Sequence, residues 1–169
     1  MTGEPADTLA RAAAVLEAAR VRGWKIVTAE SCTGGLICGA LTDVAGSSDV
    51  VDCGHVTYSN AAKIRMLGVR PATLAEHGAV SEAVAAEMAE GARERAGVDL
   101  AVAVTGIAGP GGSEFKPEGR VCFAIATPSA THHETVEFGA LGRAAVRSAT
   151  VAHALGLLGL ALSSPSERG

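Results

Sequence analysis

The chain has 169 residues, a length that suits one domain with one substantial hydrophobic core. Its formal net charge is −4 and no basic run occurs, which argues against direct nucleic-acid binding through clustered lysine and arginine. Nearly half of the residues are hydrophobic but only 3% are aromatic, so aliphatic side chains must form the core.

The first half of the chain alternates predicted helices and strands. Apolar residues at near-helical spacing indicate the helices, and short apolar or β-branched runs indicate the strands. The predicted elements are a helix over 3–22, a strand over 25–28, a helix over 33–43, a strand over 50–58 and short helices over 61–67 and 71–77.

The second half continues this alternation and adds a hairpin. The predicted elements are a helix over 82–96 capped by Ser81, a buried strand over 99–104, paired strands over 120–127 and 131–138, and a last helix over 142–162. Together these elements predict a three-layer α/β/α sandwich with a mixed β-sheet. We expect a single domain over 1–169, with its core over about 8–162 and a polar, frayed tail over 163–169.

The four cysteines, at positions 32, 38, 53 and 122, form no C-x-x-C pair, and no signal peptide is evident, so we expect free thiols in the cytoplasm. His132 and His133 would face opposite ways on a strand, and no metal site or other cofactor is predicted. The longest apolar run, Val151 to Leu162, is too short to span a bilayer, so we expect no membrane association and a buried or interface helix instead.

Three loops rich in glycine and small hydroxyl residues stand out. The first spans residues 29–35 and joins a strand to a helix, an arrangement whose free N–H groups favour an anion. The others are Gly46-Ser47-Ser48 and residues 105–112. The last one lacks the lysine of a P-loop and does not fit G-x-G-x-x-G. One interpretation is that the three loops meet at one site; the other is that they are ordinary turns.

Ser48, Tyr58 and Lys63 form the candidate catalytic group. A serine hydroxyl becomes nucleophilic when a base takes its proton, and a lysine with a lowered pKa can be that base. Tyr58 would relay a proton or orient the pair, and backbone N–H groups of the glycine loops would hold an oxyanion. The alternative is a turn serine, a half-buried tyrosine at a strand end and a solvated surface lysine.

The motifs that follow, in chain order, resemble the CinA C-terminal domain family of nicotinamide-nucleotide amidohydrolases over about residues 8–162. The residues that carry the resemblance are Thr28 to Gly35, Gly46 to Ser48, Val56 to Lys63, Gly78 to Ser81 and Ala103 to Gly112. The resemblance implies a stand-alone bacterial enzyme that hydrolyses the carboxamide of nicotinamide mononucleotide to nicotinic acid mononucleotide and ammonia in pyridine-nucleotide recycling. It also implies that no metal is needed for this step and that the protein forms homo-oligomers.

Residue by residue, the resemblance implies that Ser48 attacks the amide carbon while Lys63 and Tyr58 move protons, with Ser31 as the alternative nucleophile. Arg143 would bind the substrate phosphate or, alternatively, is a surface charge. The other expected substrate-binding residues are Glu30, Ser31, Thr33, Gly34, Gly35, Thr105, Gly106, Ala108, Gly109 and Gly111.

Two other functions remain open from the sequence. One is a nucleotide-binding or regulatory module without turnover. The other is a subunit of a competence or DNA-damage assembly, which the family's name suggests and the missing basic patch disfavours.

Overall fold

A computed structural model describes residues 5–113 and 115–165. The predicted start of the first helix at residues 3–4 and the tail residues 166–169 lie outside the described residues. The strands are β1 (Ile26–Glu30), β2 (Val51–Val56), β3 (Leu100–Gly106), β4 (Arg120–Ala126) and β5 (Thr131–Glu137). The helices are α1 (Pro5–Arg22), α2 (Leu36–Thr42), α3 (Asn60–Leu67), α4 (Pro71–His77), α5 (Glu82–Ala96) and α6 (Arg143–Ser163), with a 3-10 turn at Ser47–Asp49.

The five strands form one mixed sheet in the order β2-β1-β3-β4-β5. Strand β1 runs parallel to both β2 and β3, and its last residue, Glu30, pairs with Val56 and with Val104. The β3-β4-β5 part is antiparallel, and β4 and β5 form the predicted hairpin. The C-terminal ends of the parallel strands β1, β2 and β3 therefore lie together on one side of the sheet, here called the carboxyl edge. Their N-terminal ends lie on the opposite side, here called the amino edge.

Helices cover both faces of the sheet. On one face, α1, α2 and α6 bury a cluster that includes Leu16, Ile37 and Leu155. On the other face, α3 and α5 bury a second cluster that includes Leu67 and Met88. Burying a side chain of this size contributes about 1.5–3 kcal/mol, so the two clusters hold the layers together. The predicted three-layer sandwich is confirmed.

The predicted elements agree with the observed ones to within two residues, except at the start of α2. The helix begins at Leu36, three residues later than predicted, because Gly35 before it has φ +102° in the left-handed region. Residues 31–35 are therefore a free-standing loop and not the first helical turn.

Helix α3 carries Lys63 and is held at both ends. The Ser59 hydroxyl accepts a hydrogen bond from Ala62 N at 3.0 Å and caps the first turn. At the other end α3 lies against α5, where Gly91 faces the Leu67 carbonyl oxygen so closely that a Cβ would stand 1.8 Å from it. The glycine is what permits this close approach of the two helices.

Helix α6 is, by length and composition, apolar enough to cross a membrane. Here it packs as a core helix, with Val146, Val151, Leu155 and Leu158 among its buried residues. Its bounds agree with the predicted last helix over 142–162 to within one residue, and the 151–162 run forms its second half.

Candidate active site

The candidate site lies at the carboxyl edge of the sheet, where sheet-like pairing continues one residue beyond the strands. Ser31 N donates to Val104 O at 3.1 Å, and Thr57 N donates to Glu30 O at 2.8 Å. These bonds fix the backbone of the two residues that follow β1 and β2. Parallel strands commonly place their ligand sites at this edge.

A cavity of about 240 Å³ opens here. Its walls come from the ends of all three parallel strands and from the start of α3 and α6. The lining residues are Ser31, Cys32, Tyr58, Asn60, Lys63, Ala79, Val80, Thr105, Gly106, Ala108 and Arg143. Two of the predicted catalytic residues, Tyr58 and Lys63, and five of the predicted binding residues therefore share one cavity.

The Lys63 amino group is the central feature of the cavity. The side chain is 2% exposed, and its Nζ lies 2.9 Å from Ser31 Oγ and donates to Thr57 O at 2.7 Å. Among residues 5–113 and 115–165, no carboxylate lies within 4 Å of Nζ. Burial lowers the pKa of Lys63, because the charged form loses its hydration. A neutral amine at this position can accept the Ser31 proton.

Ser48 does not join this group, which corrects the predicted grouping. It is exposed in the 3-10 turn that precedes β2, whereas Tyr58 and Lys63 follow the other end of the same strand. A strand of this length separates its ends by about 20 Å. The serine beside Lys63 is Ser31, the alternative nucleophile.

Tyr58 and Arg143 meet on the exposed side of the cavity. Arg143 Nη2 donates to Tyr58 Oη at 2.5 Å, and Nη1 donates to Gly109 O at 2.9 Å. Arg143 is the first residue of α6 and is exposed. The guanidinium therefore links the start of α6, the end of β2 and the loop after β3, and it stands where an anionic group of a ligand can reach it.

Glu30 has a different position from the one expected of a substrate-binding residue. Its carboxylate is fully buried and accepts hydrogen bonds from Ile37 N at 2.9 Å, Cys38 N at 3.0 Å and Thr33 Oγ1 at 2.6 Å. A carboxylate at a helix N-terminus satisfies free N–H groups and the helix dipole. Glu30 and Thr33 thus hold α2 and the 31–35 loop together, and neither lines the cavity.

Four of the five predicted glycines lie outside the cavity lining, and only Gly106 belongs to it. The four, Gly34, Gly35, Gly109 and Gly111, have positive φ angles. Gly109 has φ +91°, a backbone conformation that strains any other residue, so glycine is favoured there.

One wall of the cavity was not anticipated from the sequence. Ala79 and Val80 belong to the segment between α4 and α5, and the Thr105 hydroxyl donates to Ala79 O at 2.8 Å. Lys116 Nζ donates to His77 O at 2.7 Å and to Val80 O. Two side chains from later in the chain therefore fix this wall through its carbonyl groups, and the Gly78 to Ser81 motif was the sequence signal that could have indicated it.

Cys32 lies next to Ser31 but is not activated. It is 5% exposed, and burial raises the pKa of its thiol to about 11. The thiol therefore stays protonated and packs as a small apolar group. All four cysteines are unpaired, as predicted.

Comparison with known proteins gives a consistent result. Residues 8–162 match the CinA C-terminal domain family. The nicotinamide-nucleotide amidohydrolase PncC of Escherichia coli (strain K12) is 52% identical over 140 residues, which are 82% of this chain and 85% of that protein. The CinA-like protein of Chloroherpeton thalassium is 59% identical over 112 residues, which are 66% of this chain. The chain spans only 27–32% of the length of two such CinA-like relatives.

Solved structures show the same fold. The competence/damage inducible protein CihA from Agrobacterium tumefaciens superposes with a TM-score of 0.89 at 49% sequence identity, covering 94% of this chain and 96% of that one. The competence damage-inducible protein A of Klebsiella pneumoniae gives a TM-score of 0.89 at 41% identity, covering 92% of this chain and 97% of that one.

Proposed function

This chain belongs to the CinA C-terminal domain family, and from that premise we propose that it is an amidohydrolase that converts nicotinamide mononucleotide to nicotinic acid mononucleotide and ammonia. The substrate is supported by the 52% identity to the Escherichia coli amidohydrolase, which this chain matches over 85% of its length. The reaction adds one water across the C–N bond of the carboxamide.

The observation that carries the proposal is the 2.9 Å contact between Lys63 Nζ and Ser31 Oγ in a cavity without a nearby carboxylate. A lysine paired with an acidic group would stay charged and could not act as a base. Here burial favours the neutral amine, and its second contact, to the Thr57 carbonyl, holds the nitrogen in place. This pair is a serine nucleophile with its base.

In the first half of the reaction, Lys63 takes the Ser31 proton as Oγ bonds to the carboxamide carbon. The C–N bond then breaks as Lys63 returns this proton, relayed through Tyr58, to the leaving nitrogen, which departs as ammonia and leaves Lys63 neutral again. In the second half, Lys63 takes a proton from the water that attacks the acyl-serine and passes it to Ser31 Oγ as the C–O bond breaks, which releases the carboxylate product and the free serine. The product therefore carries a carboxylate where the substrate carried a neutral carboxamide.

The oxyanion formed in each half needs donors close to Ser31. The backbone N–H group of Cys32, which lines the cavity beside Ser31, donates to no other described residue. A free N–H group beside a nucleophile is suited to an oxyanion, because it is already oriented before charge develops. We assign this role to the Cys32 N–H.

Tyr58 and Arg143 serve the other parts of the substrate. The Tyr58 hydroxyl accepts from Arg143, so its own proton remains available to the leaving nitrogen. The Arg143 guanidinium stands at the open side of the cavity, and we assign to it the binding of the nucleotide phosphate through charge-assisted hydrogen bonds. The ring and carboxamide would occupy the cavity and the phosphate would lie outside it.

The test is ammonia release from nicotinamide mononucleotide by the wild-type protein, Ser31→Ala and Ser48→Ala. We expect release by the wild type, loss of it in Ser31→Ala and full release by Ser48→Ala. Circular dichroism confirms that both variants are folded.

Other outcomes are equally informative. Ammonia release by Ser31→Ala at the wild-type rate would show that Ser31 is not the nucleophile, while the proposed amidohydrolase activity would stand. Binding of the nucleotide without release by the wild type would instead support a module without turnover.

A further inference from the structure

The segment between α4 and α5 forms one wall of the cavity through Ala79 and Val80. Residues 78–81 are neither helix nor strand, yet the carbonyl group of every residue from 77 to 80 accepts a hydrogen bond from a side chain. The three donors are Ser81, Thr105 and Lys116. Because a backbone outside helices and strands takes its conformation from such contacts, these three side chains determine where the wall stands.

Lys116 makes two of these four contacts and comes from the connection between β3 and β4. Its Nζ donates to His77 O at 2.7 Å and to Val80 O, so one amine spans the segment from the end of α4 to the cavity. A lysine suits the end of a helix, where unpaired carbonyl groups carry partial negative charge. Gly78 leaves room for the amine, since it has φ +76° and a Cβ there would stand 3.1 Å from Nζ.

The connection that carries Lys116 contributes to the cavity elsewhere as well. Its Ala108 lines the cavity, and its Gly109 carbonyl accepts a hydrogen bond from Arg143 at the start of α6. Lys116 is fixed within the connection, because its carbonyl oxygen accepts from Ser113 N at 2.9 Å. Hydrogen bonds therefore link the Ala79–Val80 wall, the β3–β4 connection and α6 into one frame around the cavity.

We propose that Lys116 is a specificity-determining positioning residue, which holds the Ala79–Val80 wall where the cavity fits a flat aromatic carboxamide. The inference rests on the proposed function and deepens it. Ala79 and Val80 supply apolar contact of the kind that a pyridine ring needs. A gap of about 0.5–1 Å already loses about a quarter to a half of the energy of such a contact, so a displaced wall binds the ring less well.

The contacts of Lys116 separate its role from the chemical step. Ser31 is held by its own N–H, which donates to Val104 O at 3.1 Å, and the Lys63 amine is held by Thr57 O at 2.7 Å. The Lys116 amine donates to neither of these groups and is bound to the wall alone. Its loss should therefore weaken substrate binding and leave the nucleophile and its base in place.

The experiment measures steady-state turnover of nicotinamide mononucleotide, and of the corresponding nucleoside without the phosphate, by Lys116→Met, Lys116→Arg and Lys25→Met. Methionine keeps the apolar stem and removes the donors, whereas arginine keeps the charge and can donate to both carbonyl groups. Lys25 is the matched control, because its Nζ also donates to a backbone carbonyl, that of Asp49 at 3.5 Å, but at the amino edge. Circular dichroism confirms folding, and Lys116→Gln takes the place of Lys116→Met if the methionine variant does not fold.

We expect Lys116→Met to raise KM about tenfold for both substrates and to keep kcat within about threefold, on the scale of a lost hydrogen bond from a charged donor. Lys116→Arg should restore most of the wild-type KM, and Lys25→Met should change neither KM nor kcat. Hydrogen exchange of Lys116→Met should quicken at the Gly78 amide, which donates to Leu74 O at 2.9 Å beside the released segment. The Gly68 amide at the end of α3 should keep its rate.

The possible failures can be told apart. A wild-type protein that releases no ammonia overturns the proposed function. An active wild type with KM unchanged in Lys116→Met, or with KM raised as much in Lys25→Met, overturns the role of Lys116 alone. A rise in KM for the nucleotide but not for the nucleoside also overturns it, because Lys116 would then act on the phosphate and not on the wall.

Discussion

Two serine-containing loops of this chain are similar in sequence and opposite in situation. Ser31 lies at the carboxyl edge of the sheet, is 8% exposed and contacts the buried amine of Lys63. Ser48 lies at the amino edge, is exposed, and is followed by Asp49, which forms a surface ion pair with Arg20 at 3.0 Å. The comparison teaches that the partner supplied by the topology, and not the composition of the loop, makes a serine a candidate nucleophile.

The largest expected effect comes from removing the base. Lys63→Met should lower ammonia release about a thousandfold, the usual scale for a general base. The same variant should be more stable than the wild type at neutral pH, because it no longer buries an amine without a carboxylate partner. Thermal unfolding measures the gain, and Lys25→Met at the amino edge is the control that should keep its rate. Normal turnover by Lys63→Met would show that Lys63 is not the base, and the carboxyl edge would then have no chemical advantage over the amino edge.

The pH dependence tests the same amine without mutation. The pKa of Lys63 is lowered in the folded protein from its ordinary value of 10.5, so the neutral base increases as pH rises through the lowered value. Below it, kcat should fall about tenfold per pH unit, or about a hundredfold over two units.

Stability should change with pH in the same direction. Since the unfolded chain binds this proton more readily, Lys63 destabilises the fold most at low pH, and that penalty disappears as pH approaches 10.5. The stability advantage of Lys63→Met over the wild type should therefore shrink with rising pH. An advantage that grows with pH would contradict the lowered pKa.

The next effect concerns the phosphate. Arg143→Gln should raise KM for nicotinamide mononucleotide about 30-fold, the scale of a lost charge-assisted hydrogen bond. The corresponding nucleoside lacks the phosphate, so its KM should be the same for the wild type and Arg143→Gln. An equal rise in KM for both substrates would indicate that Arg143 acts by holding Tyr58 and Gly109 and not by binding the phosphate.

Glu30→Gln tests the support of the Ser31 loop. The amide nitrogen would face the N–H groups of α2 that the carboxylate now accepts from, so the free energy of unfolding should fall by about 2 kcal/mol and kcat about tenfold. Denaturant unfolding measures the first quantity. Glu90→Gln, on the exposed side of α5, should change neither.

The smallest effect is expected at the amino edge. Asp49→Asn breaks an exposed ion pair next to Ser48, and such pairs contribute little. Ammonia release should stay within about twofold of the wild type. A larger loss would show that the amino edge takes part in catalysis.

The sequence predicted the fold well because the layers depend on local patterns. Apolar periodicity defined α1, α5 and the buried run of β3, and the small residues after β1 and β3 correctly indicated loops at one edge. The same local reasoning failed for Ser48, which is closer to Lys63 in the sequence than Ser31 is. A parallel strand carries the chain from one edge to the other, and this reverses the order of proximity.

Other parts of the site could not be predicted because they depend on distant contacts. Lys116 reaches carbonyl groups 36 and 39 residues earlier in the chain, and a carbonyl has no side-chain signature. Glu30 was assigned to the substrate because a polar residue in a conspicuous motif suggests binding. Only the start of α2 at Leu36 shows that its carboxylate turns inward.

The close approach of α3 and α5 at Gly91 has a consequence for how the protein tolerates change. No residue of α5 lines the cavity, yet the seating of α3 against it determines where the Lys63 amine stands. A single added methyl group at Gly91 would collide with the Leu67 carbonyl, push α3 away from α5 and so move the Lys63 amine relative to Ser31. A substitution on the core face of α5 therefore changes the reactive centre, although no residue of α5 lines the cavity.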